Sequence, residues 1–136
     1  MEFLKFSLSG FDDFLLYFGL SILFVALYLA VYVRITPYRE IALIREGNAA
    51  AAASLSGSLL GFVLPLASAV LNSVNPWDMA LWAAIALVVQ LIVYLAVRVL
   101  LPEVGRHIAD GKVASGVFLG ALSLAAGILN AASLTY

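Results

Sequence analysis

A chain of 136 residues with 65% hydrophobic and 11% charged residues is long enough for one domain, but not for a water-soluble one. Soluble chains carry about 45–50% apolar and about 25% charged residues, and a small sphere cannot hide the excess from water; lipid is the solvent that accepts it. A net charge of −1 with no basic cluster gives nucleic acid no foothold, and the lack of cysteine excludes disulfides, iron–sulfur clusters and thiolate chemistry.

Residues 1–11 mix Phe3, Leu4, Phe6, Leu8 and Phe11 with small polar residues, which suits the membrane interface. They do not read as a cleavable leader, because Glu2, Asp12 and Asp13 outnumber Lys5. Four stretches then lack any charged side chain: residues 14–33, 49–77, 79–97 and 113–136. Each reaches the roughly 20 residues that cross a hydrocarbon core. In lipid the backbone must satisfy its own hydrogen bonds, so helices are expected. Nothing alternates apolar and polar with a period of two, as a barrel would. The fold class is therefore an all-α integral membrane protein with four transmembrane helices.

The loop after the first span holds Thr36, Pro37, Tyr38, Arg39 and Glu40. Thr36 can cap a helix whose first position is Pro37, and Gly47 suits its stop. Residues 37–46 read as a short amphipathic helix at the interface. In the loop after the third span, Arg106 and Asp110 stand four apart and can pair. These seven residues, Thr36 to Glu40 with Arg106 and Asp110, are the candidate partner surface; the plainer reading is a solvated connector with anchoring charges.

The second span carries a stripe at steps of three and four: Ala51, Ser54, Ser58, Gly61, Pro65, Ser68 and Asn72, with Gly57 and Gly61 as a GxxxG beside it. The fourth span carries Gly116, Gly120, Ser123, Gly127 and Asn130 at similar steps. Small residues let helix backbones approach closely, so each stripe reads either as a packing seam or as the wall of a pathway. Pro65 removes one helical bond and frees a carbonyl near Gly61. Gln90, near the centre of the third span, and Asn130 seek partners across a helix interface.

Lysines and arginines set the orientation. Arg34, Arg39, Arg45, Arg98, Arg106 and Lys112 fall in the two loops, and only Lys5 falls on the other side, while the acids divide evenly. Both loops are expected in the cytoplasm and both termini outside it. The segment Tyr28-Leu29-Ala30-Val31-Tyr32-Val33 returns as Tyr94-Leu95-Ala96-Val97-Arg98-Val99, and each copy is followed by a proline (Pro37, Pro102) and an acid–glycine pair (Glu46-Gly47, Asp110-Gly111). The offset drifts by two residues, which implies a small deletion in the second loop. The chain is read as one transmembrane domain of two parallel helix–loop–helix repeats, about residues 12–75 and 76–136, related by an axis along the membrane normal.

No ionisable residue lies in the middle of a span, which speaks against proton relays, voltage sensors and ion-coupled pumps. His107 is the lone histidine and has no second histidine with which to hold a metal. There is no nucleophile elbow, P-loop or HExxH. No enzyme and no cofactor are expected.

Thr36-Pro37-Tyr38-Arg39-Glu40, Gly47-Asn48-Ala49-Ala50-Ala51, Gly61-Phe62-Val63-Leu64-Pro65, Gln90-Leu91 and Asn130-Ala131-Ala132-Ser133-Leu134-Thr135-Tyr136 resemble the YjfL-type family of bacterial inner-membrane proteins. The resemblance covers nearly the whole chain and is most specific at the Thr-Pro-Tyr and Gly-Asn-Ala segments. It implies four helices, an inner-membrane location and, through neighbouring genes for phage-shock-like and polyamine-linked proteins, a tie to envelope stress. It carries over no catalytic residue.

Two functional readings follow. One is a non-enzymatic homo-oligomer, held by the seams of spans two and four, that forms a channel-like or small-solute pathway. The other is a scaffold or stress-response adaptor that recruits a cytoplasmic protein through its charged loops. A lipid-handling role is a third class, since helix seams can hold acyl chains.

Overall fold

A computed structural model describes residues 1–134, and among them all regular structure is helical. The elements are α1 (Glu2–Ser7), α2 (Phe11–Ile35), α3 (Glu40–Arg45), α4 (Ala49–Asn72), α5 (Pro76–Leu100), α6 (Val104–Ala109) and α7 (Val113–Ser133). Four segments are long and apolar enough to cross a membrane: Glu2–Ile35, Ala49–Asn72, Pro76–Leu100 and Val113–Ser133. The fourth was expected to run to residue 136; Thr135 and Tyr136 lie outside the described residues.

Helix boundaries follow local chemistry. Asn48 caps α4 by accepting from the Ala51 N–H at 2.9 Å. Asn75 caps α5 by accepting from the Asp78 N–H at 2.9 Å, with Pro76 in the first helical position. The second span ends at Asn72 rather than at residue 77, because Ser73 turns to extended backbone (ψ 142°) before Asn75 begins the next helix. The helix expected over residues 37–46 is shorter, Glu40–Arg45, and Thr36 does not cap it. Thr36 precedes a proline, which forces it to extended backbone (ψ 143°), so it ends α2 instead. Arg39 is also extended (ψ 92°) and takes the cap position. Gly47 (φ 87°) and Gly111 (φ 82°) close the two short helices in the left-handed region that favours glycine.

The two halves of the chain run through matching elements. A helix of 25 residues, a crossover helix of six and a long returning helix of 24 form the first half; 25, six and 21 form the second. The returning helices α4 and α7 make the most extensive packing in the molecule. They are parallel, since Gly116 meets Ala50, Gly120 meets Ala53 and Gly127 meets Gly61. Helix α2 joins the bundle through its second half, where Tyr28 and Tyr32 are its fully buried residues. Its first half faces outward with Phe14, Leu15, Phe18, Ile22 and Leu23, as suits a helix against lipid.

Candidate functional site: a polar core under the first crossover

The small-residue stripes of α4 and α7 meet each other. A Cβ added at Gly57, Gly61, Gly116, Gly120 or Gly127 would overlap the backbone of the facing helix. The freed carbonyl expected at Gly61 is covered by Gly127, whose Cα–H is a weak donor. Ser58 and Ser123 approach hydroxyl to hydroxyl at 3.3 Å across the seam. Gln90 of α5 donates its Nε2–H to the Ser123 carbonyl at 3.0 Å. Ser54, Ser58, Gly61, Pro65, Gly116, Gly120, Ser123 and Gly127 are thus buried packing residues. The two seams occupy each other within one chain. The stripe runs out toward the opposite end: Ser68 is half-buried, and Asn72 points outward and donates to the Ser68 carbonyl at 2.9 Å. Asn130 is half-buried, and its amide nitrogen has no hydrogen-bond partner.

Three residues of the expected partner surface turn inward. Thr36, Tyr38 and Glu40 are buried, Glu40 at 1% exposure. Thr36 and Arg39 are extended at either end of a bend through Pro37 and Tyr38, and burial alternates along it, with Thr36, Tyr38 and Glu40 in and Pro37 and Arg39 out. The Thr36 hydroxyl donates to Glu40 Oε1 in a short hydrogen bond. Glu40 Oε2 has no partner. Tyr38 Oη faces Ser54 and Tyr32 and is likewise without a hydrogen bond.

Aromatic rings roof this core. Tyr28 stacks on Phe62 at 4.5 Å, and the Tyr32 ring meets Tyr28 at 5.8 Å and Tyr94 edge-on at 5.9 Å. Ser58 donates its hydroxyl to Tyr32 Oη at 3.3 Å. The hydroxyls of Tyr28 and Tyr94 and the Gln90 carbonyl oxygen are buried without partners. Buried polar groups therefore extend from Glu40, in the crossover, past Tyr38 and Ser54 to Tyr32, and hydrogen bonds link Tyr32, Ser58, Ser123 and Gln90. Burial pushes the Glu40 carboxyl above its usual range, against the hydrogen bonds from Thr36 and from its own backbone N–H that lower it. Burial likewise raises the Tyr38 phenol.

The surface that remains is charged and braced. Asn48, besides capping α4, donates its Nδ2–H to the Ile108 carbonyl at 2.9 Å and the Ala109 carbonyl at 3.3 Å. Pro37 packs on Gly105, where an added Cβ would lie 2.7 Å from the proline Cγ. Arg106 pairs with Glu103, not with Asp110 as expected. Helix α6 is only six residues long: Asp110 is its C-cap, while Glu103 sits one turn before Arg106. A cleft of ≈390 Å³ opens between the end of α2 and α3, with Thr36, Tyr38 and Glu40 in its wall. A smaller cleft of ≈150 Å³ lies between Pro37, Tyr94, Arg98 and α6. Among the described residues no three His, Asp or Glu side chains gather as a metal site.

Sequence reasoning missed Asn48 as a brace and the tyrosines as one cluster. The signal was present in the recurrence of Tyr-Leu-Ala-Val, which sets Tyr28 beside Tyr94, and in the i, i+4 spacing of Tyr28 and Tyr32.

The family described as "Domain of Unknown Function (DUF350)" matches residues 6–134. The UPF0719 inner membrane protein YjfL of Escherichia coli (strain K12) is 42% identical over 120 residues, which cover 88% of this chain and 91% of that protein. The protein of the same name from Escherichia coli O157:H7 matches with the same identity and coverage, 42% over 120 residues. No solved structure matches. A match that spans nearly every helix, joined to four membrane-length apolar segments, makes this chain a member of the DUF350 family.

Proposed function

We propose that the protein is a non-enzymatic inner-membrane scaffold whose two crossovers form one charged platform for a cytoplasmic protein partner. The observation that carries this reading is the Asn48 brace, which ties the start of α4 to the end of α6 and so couples the two crossovers. Independent connectors do not need such a tie. The platform presents Pro37, Arg39, Arg106 and Asp110 outward. The lysine and arginine bias puts this end in the cytoplasm and both termini outside. The paired six-residue helices, each closed by a left-handed glycine, favour two parallel repeats over residues 12–75 and 76–136.

The test is photo-crosslinking in living cells from a light-activated residue at Arg39, Arg106 or Asp110, with Leu129 as a lipid-facing control. The reading expects one discrete protein adduct at the platform positions that Asn48→Ala weakens. Adducts to lipid alone at all four positions end it.

A homo-oligomeric pathway is the second reading, favoured by the outward face of α2, where Phe11, Phe14 and Phe18 stack in a ladder. With the α4–α7 seam closed, such a pathway runs between subunits, where Ser68, Asn72 and Asn130 remain available to line it. Native mass spectrometry from nanodiscs decides: a ring of four or more subunits sustains this reading, and a monomer or dimer leaves too little wall for it.

A further inference from the structure

Glu40 is a buried carboxyl without a counter-charge. Its side chain is enclosed at 1% exposure, the carboxyl is met by the neutral Thr36 hydroxyl at Oε1 and by its own backbone N–H, and Oε2 has no side-chain partner. The groups that face it can be named element by element. From α2 come Tyr32 and the adjoining Thr36, from the crossover Tyr38, and from α5 Tyr94. Ser54 and Ser58 of α4 carry no charge. No arginine pairs with Glu40 among the described residues: Arg34, Arg39 and Arg98 are exposed, and Arg106 pairs with Glu103. An isolated carboxylate in such a place costs far more than a neutral acid, and proteins meet that cost by keeping the proton.

The molecule contains its own comparison. Glu40 is the first residue of α3, and the first residue of α6 is Val104, equally buried at 1% exposure. Packing a crossover helix onto this bundle therefore requires only an aliphatic side chain at that position. The carboxyl at Glu40 is surplus to packing.

We propose that Glu40 is carried as the neutral carboxylic acid at neutral pH, and that loss of its proton releases the first crossover from the bundle. As an acid, Glu40 carries an O–H on Oε2 and no longer needs a donor there. As a carboxylate it demands donors at both oxygens and supplies none. Because burial raises the carboxyl above its usual range, the packed state is favoured in full below the ordinary carboxylate pKa, and this advantage is lost as pH rises through the raised value. The adjoining ≈390 Å³ cleft gives the ionised group its route to water. The crossover is thereby a proton-bound latch on the platform, and this holds whether or not the platform recruits a partner.

Infrared spectroscopy of the full chain in nanodiscs tests the first half. At neutral pH the protein should show a carboxylic-acid carbonyl band that shifts in deuterium oxide, disappears as pH rises and is missing in Glu40→Gln. Thr36→Val, which removes the hydrogen bond that favours the charged form, should move that disappearance to higher pH; it carries the test if Glu40→Gln fails to fold. Absence of the band in the wild-type protein at neutral pH, or its survival in a folded Glu40→Gln, overturns the proposal. The second half is read from Ser54→Cys, a thiol buried beside Tyr38 in a chain that has no other cysteine. Its labelling by an impermeant thiol reagent should rise about tenfold per pH unit as Glu40 ionises, beyond the rise measured in the Glu40→Gln background. Equal rises in the two backgrounds refute the latch.

Discussion

In the first crossover Tyr38 and Glu40 turn into the bundle, whereas in the second Glu103 and Arg106 face outward and pair with each other. The backbones are alike: six helical residues closed by a left-handed glycine. The two differ in how they leave the preceding helix. Four residues, 36–39, separate α2 from α3, while three, 101–103, separate α5 from α6. From Tyr28 to Glu40 is also two residues longer than from Tyr94 to Val104. The extra length lets the first crossover dip beneath its own polar side chains, and the shorter one exposes them. Shared turn chemistry thus fixes the shape of a crossover, and linker length with the residue at the first helical position decides its chemistry.

Exchanging the two first positions breaks this comparison most severely. Val104→Glu buries a carboxyl where no threonine waits to donate to it, and it should cost about 3 kcal/mol at neutral pH. Glu40→Val, combined with Thr36→Val so that no hydroxyl is orphaned, should change stability by about 1 kcal/mol or less. Stability measured by denaturant titration in mixed micelles checks both. Equal costs for the two variants would mean that the crossovers are chemically interchangeable.

Asn48→Ala removes what the crossovers share. The variant loses a helix cap, typically worth about 1 kcal/mol, and leaves the carbonyls of Ile108 and Ala109 without their donor. The expected total is about 2 kcal/mol. Asn75→Ala is the natural control: Asn75 also caps a long helix, through Asp78, and should cost about 1 kcal/mol. Faster amide exchange at the end of α6 in Asn48→Ala alone would locate the difference.

The spans were legible because charge-free runs of membrane length have one good solution in lipid. The seam was legible as a choice, since steps of three and four from Ala51 to Asn72 and from Gly116 to Asn130 place small residues on one face of each helix without saying what faces them. The crossover was not legible. Charge pattern alone puts Arg39 and Glu40 on the same surface, yet the extended backbone of Arg39 at the start of α3 leaves one out and turns the other in. The rule that no Asp, Glu, Lys, Arg or His lies in the middle of a span remained true of the sequence. It misled about the interior, because Glu40 enters the polar core from outside the spans. Asn48 was passed over for a similar reason: its position 60 residues from Ile108 in the chain hides a contact that only the fold creates.

The smallest effect is expected at the second crossover. Arg106 and Glu103 are 68% and 53% exposed as side chains, so water and salt screen their attraction, and Arg106→Ala should cost about 0.5 kcal/mol or less. That near-silence makes the variant informative. A platform that recruits a partner needs its exposed arginines for recognition, not for folding, so Arg106→Ala should leave denaturant stability and the Glu40 infrared band unchanged while weakening crosslinks from Arg39. If crosslinking survives as fully as stability does, the outward pair on α6 only anchors the chain at the membrane edge. Recognition would then rest on the first crossover alone, where Arg39 stands exposed directly beside the buried carboxyl.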